Sequence, residues 1–101
     1  MEKEIDTTYF IKQANEFLNL YQELKMKMPS ELMFDFHLSH PERYIPQELR
    51  QTSKAKKIIA VAQKAITELN DKNIPTGFIR IENGKVSFDS GSYKASLRAN
   101  H

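Results

Sequence analysis

The sequence predicts an α+β fold: a long N-terminal helix, a basic second long helix and a C-terminal β-hairpin around one core. Three observations carry this. Apolar residues recur at helical spacing near the N-terminus. They recur again at that spacing in residues 53–70, and two short β-rich runs flank Asn83-Gly84. A chain of 101 residues has room for a single domain, with its core expected over about 8–89.

Asp6, Thr7 and Thr8 are N-cap types ahead of the first apolar run. Phe10, Ala14, Phe17, Tyr21, Leu24 and Met28 fall on one stripe, widened by Ile11, Leu18 and Leu20. Lys12, Asn15, Glu16, Asn19, Gln22 and Glu23 take the opposite face. This predicts a helix from about Thr8 to Met28, since Pro29 disfavours helix at the residue before it. Ser30-Glu31-Leu32-Met33 reads as the opening of a short helix, but Phe34, Phe36 and Leu38 alternate with Asp35, His37 and Ser39. That alternation predicts a short strand within 33–39, followed by a turn at His40-Pro41-Glu42-Arg43.

Pro46 suits a first helical turn, and Thr52-Ser53 offers a break and a new N-cap. Residues 46–70 therefore read either as one helix or as two. Ala55, Ile58, Ile59, Ala62, Ala65, Ile66 and Leu69 form the buried stripe of the second long helix, which Asn70-Asp71-Lys72-Asn73 and Pro75 end. Phe78–Glu82 and Lys85–Asp89 then form the hairpin, because a type I′ turn needs positive φ at both Asn83 and Gly84. Ser90-Gly91-Ser92 reads as a flexible break, and residues 90–101 as a loose tail or a third strand through Tyr93, Ala95 and Leu97.

Composition narrows the function classes. The chain has no Cys, which removes disulfides, thiolate chemistry and Cys-built zinc sites and fits a reducing compartment. No apolar run approaches the ~20 residues of a membrane span. The start, Met1-Glu2-Lys3-Glu4-Ile5-Asp6, is acidic and lacks the apolar stretch of a signal peptide, so a cytoplasmic location is expected. Charge is uneven: residues 1–52 hold six Lys/Arg against nine Asp/Glu, and residues 53–101 hold nine against four, giving −3 and +5. A basic half suggests an anionic partner, nucleic acid above all, or else attraction between the two halves.

The outward face of the 53–70 helix sharpens the first option. It carries Ser53, Lys56, Lys57, Ala60, Gln63, Lys64 and Thr67, with no carboxylate before Glu68. Lysine contacts phosphate or guanine edges, glutamine pairs with adenine, and alanine meets a thymine methyl. Arg80 and Lys85 on the hairpin would hold the backbone. In element order, over roughly Thr8 to Asp89, the chain resembles the winged-helix family. The stretch Ile66-Thr67-Glu68-Leu69-Asn70-Asp71-Lys72-Asn73-Ile74 looks like the end of that family's recognition helix and the approach to its wing. The resemblance implies DNA binding through the 53–67 face, with Arg80 and Lys85 on the wing, and a small transcriptional regulator as the function.

No residue set marks an enzyme: glycine occurs only at 77, 84 and 91, and no phosphate loop, nucleophile elbow or HExxH is present. His37 and His40, with Asp35 and Glu42 nearby, are too few and too divergent for a metal site. No cofactor is expected. Aromatics crowd the first 44 residues and read as core, or alternatively as a protein-binding face. The alternative to DNA binding is therefore a small inhibitor or adaptor module that docks on a larger assembly. The wide stripe of the first helix also leaves a homodimer through that helix open.

Overall fold

The computed structural model describes residues 6–99. The acidic start at residues 1–5 and the last two residues of the tail lie outside them. Helix α1 spans Thr8–Glu23, α2 Phe34–Ser39, α3 Ser53–Asp71 and α4 Ser90–Ala99. Strands β1 (Ile79–Glu82) and β2 (Lys85–Phe88) pair antiparallel, so the fold is α+β. Short 3-10 turns at Glu31–Met33, Pro41–Arg43, Gln47–Leu49 and Thr76–Phe78 link the elements.

The long helices α1 and α3 run antiparallel, as their cross-pairs show: Lys54 with Glu23 at one end and Lys72 with Asp6 at the other. Between them lies one core. From α1 come three fully buried rings, Phe10, Phe17 and Tyr21; from α3 come three fully buried alanines, Ala55, Ala62 and Ala65. Large rings against small side chains let the two backbones approach while the space between them stays filled. Phe34 and Leu38 of α2, Ile45, Ile79 and Val86 complete the same cluster.

Both long helices end in the same way. Lys25 has φ +57°, and its N–H reaches Gln22 O (2.9 Å) while Met26 N–H reaches Tyr21 O (3.1 Å). Asn73 has φ +52°, and Asn73 and Ile74 N–H reach Asn70 O (3.3 Å) and Leu69 O (3.0 Å). A left-handed residue with these two bonds is the Schellman stop. It ends α1 at Glu23, five residues before the expected Met28. The N-terminus of α3 is capped as expected: Thr52 Oγ1 accepts from Ala55 N (3.2 Å). Residues 46–70 are therefore two elements, with Pro46 preceding a single 3-10 turn.

Three further expectations are corrected. Residues 34–39 are helix, not strand: Phe34 and Leu38, four apart, are buried, whereas Phe36 points to solvent. An exposed Phe in the middle of the run gave it a false period of two. Residues 90–99 are helix, not a loose tail or third strand. Asp89 caps them, accepting from Ser92 N (3.1 Å) and from Ser92 Oγ (2.7 Å). Tyr93 then packs edge-on against Phe78 and tilted on Phe88, with centroids 5.6 Å away in both cases. The third correction is Asn15, which is no solvent-face residue: it holds β2 through the backbone of Val86.

Candidate functional site

Two surfaces stand out, and the first is the outward face of α3. Ser53, Lys56, Lys57, Gln63 and Lys64 are all exposed there, together with Ala60 and Thr67, as the helical spacing predicts. The face is partly bordered by acids from α1. Lys57 lies 3.8 Å from Glu16 and Lys54 lies 3.3 Å from Glu23, so the attraction between the two halves of the chain is present at this seam. Tyr9, 47% exposed, lines a shallow depression of about 350 Å³ with Ala60, Gln63 and Lys64.

Arg80 and Lys85 are not gathered onto that face. The hairpin docks on the flank of α1 that carries Asn15, whereas the lysines border the flank that carries Glu16 and Glu23. Arg80 donates through Nε to Asp89 (3.1 Å) and lies 3.5 Å from Glu31, so its charge is already met. Lys85 is exposed beside the turn, opposite Glu82 in the strand register.

The second surface comes from the early stop of α1. Beyond Lys25 the chain turns back, and Leu24, Met26 and Met28, packed against the core, line a groove of about 560 Å³. Met33 at the entry to α2 and Leu49 of the 3-10 turn line it as well, with Pro29 and Pro46. The floor is a polar pair in apolar surroundings: Tyr21 OH lies 2.8 Å from His37 Nδ1, and His37 stacks on Tyr44 at 3.7 Å between centroids. Burial pushes the Tyr21 phenol up and the His37 ring down, which keeps both neutral. At the rim stand Lys25 and Lys27, the charged side chains of the lining, with no carboxylate among the lining residues.

Outside the groove the apolar surface continues. Leu32 is 88% exposed, Phe36 55% and Met33 42%, spaced so that one side of the 31–39 segment presents them together. Sequence reasoning reaches this surface only in part: the aromatic run that includes Phe36, with Met26 on the outer side of the first helix, reads as an alternative protein-binding face, but a strand within 33–39 and a helix to Met28 hide the groove. A signal was present: Leu24, Met26 and Met28 alternate with Lys25 and Lys27, a period of two that no helix gives. Among the described residues no three His, Asp or Glu side chains converge as a metal site would need. No helix among them is long and apolar enough to cross a membrane. Family models, curated proteins and solved structures were all compared with the chain, and none matches it.

Proposed function

We propose that this chain is a non-enzymatic protein-binding module, an inhibitor or adaptor that docks on a larger assembly through the groove between α1 and α2. The observation that supports it is the exposure of Leu32, Met33 and Phe36 at the lip of a methionine-lined cleft. Burying a side chain of this size is worth roughly 1.5–3 kcal/mol, so leaving three outside forgoes stability that a partner would recover. Apolar residues scattered singly need no explanation, but a cluster continuous with a cleft is the usual mark of a binding surface. The test compares capture by the native chain and by Leu32→Asp plus Phe36→Asp, both exposed positions at which folding survives. A protein retained only by the native chain, and rebinding it when both are purified, supports the reading. If the variant retains the same proteins, the lip is not the docking surface.

A second reading is DNA binding by α3, as a small regulator of winged-helix type. It is favoured by the uninterrupted exposure of Ser53, Lys56, Lys57, Gln63 and Lys64 on one face. The Lys57–Glu16 pair is exposed and long, hence weak and readily exchanged for a phosphate. Anisotropy with a random duplex at ~50 and ~200 mM salt tests it, since several phosphate contacts lose orders of magnitude in affinity over that range. Lys57→Glu plus Lys64→Glu then abolishes binding with the fold intact. No binding at the lower salt removes this reading.

A further inference from the structure

We infer that the occupant of the groove is an acidic amphipathic helix of another protein. The inference rests on the docking reading above and goes further by assigning the partner's chemistry.

Shape argues for an extended occupant. At about 560 Å³ the groove is within the range of small-ligand clefts, roughly 300–1,000 Å³. However, a small ligand inside it leaves Leu32 and Phe36 in water, because the apolar strip runs past the lip. An amphipathic helix laid across the groove covers both regions, inserting anchors at i, i+3 or i+4 and i+7. The walls suit this mode. Met26 and Met33 carry unbranched, polarizable side chains of the kind that adapts to whatever apolar group enters.

Charge argues for acidity. Leu24, Met26 and Met28 turn inward, so the interleaved Lys25 and Lys27 stay exposed at the rim. The acids on either side of this segment are already engaged. Glu23 pairs with Lys54 and Glu31 with Arg80. The rim therefore presents two ammonium groups, while the two acids that flank the segment in sequence are each paired with a cation of another element. A partner helix with Asp or Glu beside its apolar stripe meets that field, whereas a basic helix is repelled by it.

The test is selection of randomised 16-residue peptides, displayed on phage, on the intact native chain. The expected result is enrichment of sequences with apolar residues at helical spacing flanked by Asp or Glu. Their binding, measured by anisotropy, is lost in Met33→Asp and weakens about tenfold in Lys25→Glu plus Lys27→Glu, the scale of two rim charges reversed. Enriched peptides that need Met33 but are neutral or basic overturn the acidic partner and leave the docking surface standing. Peptides indifferent to Met33→Asp, or no enrichment at all, overturn the docking surface as well. A concentration-dependent dimer abolished by Met33→Asp assigns the groove to a second copy of this chain and overturns the inference.

Discussion

Asn15 of α1 holds both backbone polar groups of Val86, accepting from its N–H at 2.7 Å and donating to its carbonyl at 3.4 Å. The register explains why these groups are available. Across a two-residue turn, Glu82 and Lys85 form the first hydrogen-bonded pair, so Ile81 and Val86 form a non-hydrogen-bonded one. Val86 therefore turns its N–H and C=O away from β1, where a third strand would otherwise meet them. The Asn15 amide has one donor and one acceptor in the same arrangement and takes that strand's place. A two-stranded hairpin alone is marginal in water, and this clamp, with burial of Ile79 and Val86, fixes it on α1.

Asn15→Ala leaves a part-buried N–H and C=O unpaired and is expected to cost about 1–3 kcal/mol. Urea unfolding measures the loss, and amide exchange at Val86 quickens more than exchange in α3. Asn15→Asp keeps the shorter bond, loses the longer one and falls between the two. If Asn15→Ala unfolds at the native midpoint, the clamp contributes nothing.

Tyr21 and His37 give a prediction with a pH dependence. The pair is buried, and Tyr21→Phe leaves His37 Nδ1 without its partner. The expected loss is about 1–2 kcal/mol, a fall in Tm of roughly 4–8 °C per kcal/mol for a domain of this size. His37 is held below its ordinary 6.5 by burial, so folding favours the neutral ring. The associated stability is complete above pH 6.5. It is lost as pH falls through that value and on through the lower folded one, because the unfolded chain then binds the extra proton. The limiting slope is about 1.4 kcal/mol per pH unit for one proton. His37→Gln flattens the stability profile below about pH 6.5. A native profile already flat there contradicts this. The depressed carboxyls, Asp6 and Asp89, act only nearer their ordinary 3.8.

Asp89 joins two elements: its carboxylate caps α4 through Ser92 and accepts from Arg80 Nε. No residue of α4 is buried, and this cap and Tyr93, lying against Phe78 and Phe88, help to hold it helical. Asp89→Ala is expected to fray α4 while the α1–α3 core is unchanged. Fast amide exchange confined to residues 92–98 is the signature; unaltered exchange there refutes it. The Ser92 bonds hold the Asp89 carboxyl below the usual range, so acid removes the cap as pH falls through that lowered value.

The elements set by strong local rules were legible in the sequence. Five of the seven stripe residues of α3, Ala55, Ile58, Ala62, Ala65 and Leu69, are buried as helical spacing predicts, with Ile59 and Ile66 half-buried at its edge and Val61 buried beside it; the helix start follows from Thr52 and the hairpin from Asn83-Gly84. What stayed hidden was decided by tertiary contacts. Nothing local distinguishes Phe34, which fills the core, from Phe36, which does not. A helical wheel puts Asn15 among polar neighbours, and only the hairpin's docking shows that it has a partner 71 residues away. Arg80 reads from the sequence as a backbone contact on the wing, and only the fold brings Glu31, 49 residues away, and Asp89 to it. The lysine face needed only helix periodicity, whereas the groove needed the point at which α1 stops.

That stopping point supplies the last prediction. Lys25 holds a left-handed conformation, φ +57°, at a position where glycine is the ordinary choice. A side chain with a Cβ pays about 1–2 kcal/mol there, of which Lys25→Gly should recover roughly 0.5–1 once the freer unfolded chain is counted. The same change removes one of the two ammonium groups from the rim of the groove. Stability and binding are thus expected to move in opposite directions: a higher urea midpoint, and weaker association with an acidic helical peptide selected on the native chain. Lys25→Ala, which keeps the backbone cost and loses the charge, should weaken binding without the gain in stability. If Lys25→Gly binds as tightly as the native chain, the rim charge at this position has no part in recognition, and the stop at Lys25 serves only to shape the groove.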